Sequence, residues 1–242
     1  MLILPDKTTM ADVTNQVSLL ELAKNRFANI EPARENLFER FFRDAADGVK
    51  TDCTRGSDTE DDPANAKAWT EDRIIPAEWL SWLCTDPRAA AKITSRGIEI
   101  DGVKIDGRLD LAWAKIQFPI RTFKCAFTGK IILDRSILLS LDLQGTHITA
   151  LDGDSLTVDR DIVFWDGFLA RGRVWLRNAT IGRNLECDGG QFLSPGAIAL
   201  NLEEAKVNSV RLGKGFKAEG EVRLHGATIA ANLECDGGQF IN

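Results

Sequence analysis

Two identical nine-residue stretches, NLECDGGQF at residues 184–192 and 232–240, each set a cysteine (Cys187 or Cys235) beside an aspartate (Asp188 or Asp236). Thiolate and carboxylate together are zinc donors, and two thiols can form a disulfide. Either chemistry needs the copies to meet, with both sulfurs about 2.3 Å from one ion or Cα atoms within about 7 Å of each other. Other reactive side chains are scattered. His147 and His225 are the only histidines, tyrosine is absent, and neither G-x-S-x-G nor H-E-x-x-H occurs. GKGFKAEG at 213–220 lacks the G-K-[ST] ending of a phosphate loop and reads as a coil corner. Asp152 and Asp154, two residues apart, fall on one side of an extended strand, a spacing that pairs two carboxylates as glycan cleavage requires. The acidic run TDCTRGSDTEDDPANAKA at 51–68 has a proline and no periodicity, and reads as a mobile, solvated connection and not a metal site.

The elements that position these residues fall into two regions, 1–96 and 97–242. In the first, Val17, Leu20, Leu22, Phe27 and Ile30, then Leu37, Phe38, Phe41 and Phe42, recur at helical spacing over 16–47, with a break near Glu31-Pro32 and a stop at Gly48. A second helical stretch at 76–92 opens on Pro76 and carries Trp79, Leu80, Trp82 and Leu83. From Gly97 the pattern changes to units of about 11 residues: apolar, any, apolar, two turn residues, a small residue, any, apolar. IEIDGVKI, LDLAWAKI, LDLQGTHI, VWLRNATI, LNLEEAKV and VRLHGATI are clear copies, weaker ones start at Ile120, Ile131, Leu151 and Ile162, and LSPGAIA interrupts the series as a looped insertion.

A unit of this kind cannot bury its own apolar face, but stacked units can, about 4.8 Å apart, so the pattern predicts a mainly β fold, a right-handed parallel β-solenoid. Two units per coil of about 22 residues give six to seven coils and a rod roughly 30 Å long. The helices at 76–92 are placed to cap its first coil through Leu80 and Leu83. The other end stops without a cap, which reads as a fragment of a longer protein or an edge for self-association.

This register answers the question of the cysteines. Cys187 and Cys235 fall in the inward third slot, where other units place Ile100, Leu111 and Leu143, and stand two coils apart, roughly 10 Å along the axis. Neither a shared ion nor a disulfide spans that distance, so they are buried small hydrophobes, as is Cys125, and the block records an internal copying of two coils. Asp188 and Asp236 are expected to cap turns. The outward row Glu99, Arg121, Asp142, Val163, Glu186, Arg211, Glu234 mostly alternates in sign, which discourages slipped stacking. Apolar residues also fall on outward positions: Phe123, Val163 and Trp165 on one face, Ile132 and Trp175 on the other. These five form the candidate interaction patch, unless the N-terminal helices cover them.

GIEIDGVKIDGRLDL, preceded by RIIPAEWLSWL, resembles an uncharacterised family of bacterial solenoid proteins with G-V-x-I-x-G-x-L-D-L openings, some described as membrane-associated, and is loosely similar to pentapeptide-repeat proteins and other right-handed β-helices. The resemblance implies architecture and no catalytic residues. Membrane contact in that family comes through additional segments.

The net charge of −6 divides into −4 on residues 1–96 and −2 on 97–242, which disfavours a nucleic-acid partner. Five cysteines without C-x-x-C spacing and no secretory leader point to a reducing cytoplasm, and no run of apolar residues reaches membrane-spanning length. The expectation is a non-catalytic interaction or scaffold solenoid with an unknown protein partner, no cofactor and no metal. The alternatives are a carbohydrate-active β-helix enzyme and a pentapeptide-like inhibitor of a DNA enzyme.

Overall fold

The computed structural model describes residues 17–242, so the first sixteen residues of the N-terminal region, including the start of the helix expected at 16–47, lie outside the described part. From Ile98 onward the chain winds as a parallel β-solenoid with four ladders per coil. The first ladder stacks Ile98, Ile120, Leu141, Ile162, Leu185, Val210 and Leu233 in register. Successive partners are 21 to 25 residues apart, so the two-unit coil is borne out and there are about seven turns. The second ladder runs from Ile105 through Phe127 and Ile148 to Ala170, Phe192, Ala218 and Phe240. The third stacks Leu109, Ile131, Leu151, Val174, Leu200 and Val222, and the fourth Ile116, Leu138, Val158, Ile181, Val207 and Ile229. Short strands alternate inward apolar and outward polar residues, so every ladder contributes one wall of a continuous core.

The corner between the third and fourth ladders explains the turn-plus-small part of the repeat. Trp113, Arg135, Ser155, Asn178, Glu204 and Gly226 occupy it in successive coils, with φ between +52° and +67°. The next residue closes a four-residue turn with its backbone N–H, as in Ala114 to Leu111 and Ala179 to Leu176. Coil three breaks the template and compensates within itself: Gly153 stands in the inward slot and Leu156 takes the small slot, with a Leu156 methyl 3.3 Å from where a Gly153 Cβ would be.

A second size rule governs the corner that opens the second ladder. Four successive coils read Phe168-x-Ala170, Gly190-x-Phe192, Phe216-x-Ala218 and Gly238-x-Phe240. The ring moves between two slots from coil to coil, and the Phe168, Phe192, Phe216 and Phe240 rings stack with centroids 5.3 Å apart at each step. Gly190 makes room: a Cβ there would lie 2.6 Å from the Phe164 carbonyl oxygen and 3.2 Å from the Phe192 ring. The second glycine of each repeated block, Gly190 or Gly238, therefore accommodates phenylalanine.

Among the described residues, four α-helices precede the solenoid: α1 (Leu19–Arg26), α2 (Glu35–Asp47), α3 (Ala77–Thr85) and α4 (Pro87–Ala90). Ser18 and Glu21 form a capping box on α1, and Gly48 ends α2 with φ +64°. Phe27, Phe38, Phe41, Phe42, Trp79 and Trp82 pack as one aromatic cluster, and Leu80 and Leu83 are fully buried. The Ser81 hydroxyl donates to the Asp110 carbonyl of the first coil at 3.0 Å.

The boundary between the two regions is less sharp than the repeat suggests. Thr51–Asp52 pairs in parallel with Ile100–Asp101, and Ile74–Pro76 with Lys104–Asp106, so the N-terminal region adds strands to the first two ladders. Residues 51–68, expected to be a structureless connection, hold a strand and a 3-10 helix (Pro63–Ala68). Asp61 gathers them: its carboxylate accepts from the backbone N–H groups of Arg55, Gly56 and Ser57 and pairs with Arg73 at 3.0 Å, and both side chains of that pair are buried. The insertion at 193–199 is not a separate loop but a bulged stretch of the strand Gln191–Asn201, with Pro195, Gly196 and Ala197 exposed.

Candidate functional site

The outward row of the first ladder has the expected order. Glu99, Arg121, Asp142, Val163, Glu186, Arg211 and Glu234 are register partners in turn. Arg121 lies 3.8 Å from Glu99, and Arg211 lies 3.5 Å from Glu186 and 3.3 Å from Glu234.

The five patch residues divide between two ladders. Val163 and Trp165 are neighbours on the first ladder; Phe123 lies on the same ladder two coils away, with Asp142 and Gln144 in the coil between. Ile132 and Trp175 lie on the third ladder, on either side of Asp152. A full ladder separates the groups in either direction around the coil, so the five side chains make two strips. All five are half-buried. On the third ladder the Arg173 guanidinium lies 3.9 Å from the centre of the Trp175 ring, which covers that face of it. The indole N–H groups of Trp165 and Trp175 are buried without a hydrogen-bond partner. Sequence reasoning missed the most exposed large apolar side chain of the rod, Trp113, at 71%. It occupies a turn position, which the alternation of inward and outward residues along strands does not reach.

The acidic pair on the third ladder is engaged. Asp152 accepts from Lys130 at 2.8 Å and from Arg173 at 3.0 Å, and Asp154 accepts from Arg177 at 2.8 Å. Burial pushes the Asp152 carboxyl up, but the Arg173 and Lys130 bonds outweigh it and hold it below the usual carboxylate range. A different set of carboxylates lines a groove on the first ladder's face. Glu99, Asp101, Arg121, Phe123, Asp142 and Gln144 surround a shallow space of about 160 Å³. Burial raises the carboxyls of Asp101 and Asp142; the Lys50 ammonium, 2.6 Å from Asp101, offsets only part of the effect there.

The cysteines are all free. Cys187 is fully buried, and the Leu212 coil separates it from Cys235, as expected. Burial pushes the Cys125 thiol up to about 12. Cys235 departs from expectation: it is exposed, along with Leu233, Phe240 and Ile241, all on the last coil of the described residues. Asp188 binds the next coil and not its own turn, accepting from the Gly213 N–H at 3.1 Å, with the Lys214 ammonium 3.5 Å away. Lys214 and Gly215, in the stretch with phosphate-loop glycines, have φ of +43° and +91° and form a corner.

Among the described residues, no group of three or more His, Cys, Asp or Glu side chains is placed to hold a metal ion, and no helix is long and apolar enough to cross a membrane. Comparison with protein-family models, curated proteins and solved structures finds no match to this chain.

Proposed function

We propose that this protein is a non-catalytic interaction scaffold, a rod whose packed interior holds outward side chains at fixed spacing for a protein partner. The observation that carries the reading is the set of apolar side chains on outward positions: Val163 and Trp165 on one face, Ile132 and Trp175 on another, each strip bordered by charge. Tryptophan, with tyrosine and arginine, is enriched among the residues that anchor protein interfaces. Kinship with the bacterial solenoid family whose coils open like GIEIDGVKIDGRLDL belongs to the same proposal, as does a cytoplasmic location. The test is affinity capture from native-host lysate by the wild-type chain and by a Trp165→Ser/Trp175→Ser variant of matched thermal stability. Capture of a protein by wild type and its loss in the variant is the expected result; equal capture by both removes these strips as the docking surface.

A second reading, glycan cleavage, draws on the first-ladder groove, where Asp101 and Asp142 have raised carboxyls beside Arg121 and the Phe123 ring. A carboxyl held protonated can serve as a general acid opposite an ionised one. On this reading wild type releases sugars in a screen of polysaccharides and Asp142→Asn loses at least a hundredfold in rate. No product from wild type ends it. Inhibition of a DNA enzyme by mimicry draws no support from the first-ladder acids, because Arg121 and Arg211 interleave them.

A further inference from the structure

Cations on the first and third ladders are matched by carboxylates on their own faces: Arg121 and Arg211 on the first, Lys130, Arg173 and Arg177 on the third. The fourth ladder breaks this rule. Lys115 and Lys206 point outward from it, Arg135 sits at the corner that enters it, and Arg160 and Arg183 at the corner that leaves it. All five are exposed, and none is in an ion pair with any described residue. Arg160 and Arg183 start from neighbouring coils, the Arg183 N–H donating to the Arg160 carbonyl at 3.2 Å, so two like charges are stacked where the first ladder alternates sign. Like charges directly opposite one another weaken a sheet. Asp159 and Glu204 are exposed on the same side and pair with none of the five.

Apolar surface accompanies this charge. Trp113, with Arg135 stacked 4.8 Å from its ring centre, stands at the entering corner, and Ile137, 40% exposed, lies in the middle of the face between Lys115 and Thr157. A guanidinium stacked on an indole is held flat with its N–H edge free, the arrangement that receives a carboxylate through two parallel bonds.

We infer that the fourth ladder is a docking face for an acidic protein segment, its carboxylates on Arg135, Arg160 and Arg183 and an apolar side chain on Trp113 and Ile137. This deepens the scaffold reading and rests on it. A protein segment fits better than a nucleic acid. The cations run along one narrow face next to the first ladder, whose outward row holds four acids (Glu99, Asp142, Glu186, Glu234) against Arg121 and Arg211, so a phosphate backbone wide enough to overlap both faces would meet a net negative row.

The probe is a fluorescein-labelled twelve-residue Glu/Asp peptide carrying one central leucine, titrated by anisotropy with the full chain at 50 and 200 mM salt. The variants are Arg135→Glu/Arg160→Glu/Arg183→Glu and Trp113→Ala, both at exposed positions and both checked for an unchanged thermal transition. Saturable binding by wild type, weakened at least tenfold in the charge-reversal variant, several-fold in Trp113→Ala and by the higher salt, is the expected result. Equal binding by wild type and the reversal variant, no binding at 50 mM salt, or tighter binding of a double-stranded DNA oligomer than of the peptide overturns the inference. The lysate capture separates the two proposals. If Trp165→Ser/Trp175→Ser loses the captured protein and the reversal variant retains it, the fourth-ladder inference falls and the scaffold reading stands. If wild type binds the peptide and its lysate capture is unaffected by Trp165→Ser/Trp175→Ser, the strips fall and this face stands.

Discussion

Leu176→Asp is expected to abolish cooperative folding of the solenoid. Leu176 is fully buried in the third-ladder wall, with the Leu202 coil on one side and the Gly153 coil on the other. A carboxylate there has no partner and no route to water, and an unpaired buried charge costs more than about 4–5 kcal/mol, the exceptional range for a single substitution. Total stabilities are only about 5–15 kcal/mol. Circular dichroism melting and dye binding are the measurements: the variant should show a broad or absent transition and bind hydrophobic dye at 25 °C. Leu176→Met, which keeps volume and polarity, should cost less than about 1.5 kcal/mol. A Leu176→Asp transition at the wild-type temperature would mean that the inward register is wrong.

Arg73→Ala should be the next most damaging change, at about 3–5 kcal/mol, the range for breaking a buried ion pair by removing one partner. Arg73 donates to the carbonyls of Gly102 and Glu60 and to Asp61, and stacks 3.9 Å from the centre of the Trp69 ring, so one side chain joins the 51–68 segment to the first coil. Arg73→Lys should recover only part of the loss, because an ammonium cannot reproduce the planar fork. The same pair sets a pH dependence. Burial pushes the Asp61 carboxyl up, but the N–H groups of Arg55 and Gly56, the Arg73 charge and the Ser57 N–H outweigh it and hold the carboxyl below its ordinary value. A lowered folded-state value means that the contribution is complete above the unfolded value of about 3.9 and is lost as pH falls through the folded one. Urea midpoints measured between pH 5 and pH 2 should therefore fall more steeply for wild type than for Asp61→Asn, and the two curves should converge at the acid end. Parallel curves would show that Asp61 carries no such linkage.

The distribution of sequence signals explains which of these features were legible in advance. Ladder order was readable because each coil repeats an inward-outward alternation, and a slip by one residue would bury Glu99 or Arg121 and expose Ile98 or Ile120. The small slot was readable for the same reason, as Ala114, Ala179 and Ala205 recur at one turn position. The 51–68 segment was not readable, because its order comes from one carboxylate meeting three N–H groups and an arginine twelve residues away, which leaves no period in the sequence. The division of the five apolar residues between two faces was readable from the same alternation, and Val163 and Trp175 point from different walls of the coil. The fourth-ladder cations were missed because net charge reports their sum with distant acids; whether each has a partner depends on which coil and which corner it occupies.

The alternation of phenylalanine between two slots has a consequence for how such a chain can change length. Removing one coil from this region would bring two Phe-x-Ala coils, or two Gly-x-Phe coils, against each other, crowding rings on one side and leaving a void on the other. Removing or adding two coils restores every neighbour. Phe168 to Phe216 and Phe192 to Phe240 are each 48 residues apart, the spacing of the duplicated NLECDGGQF block. The heritable module of this part of the rod is thus a pair of coils, and gene duplication or deletion that respects packing would lengthen or shorten it in steps of two.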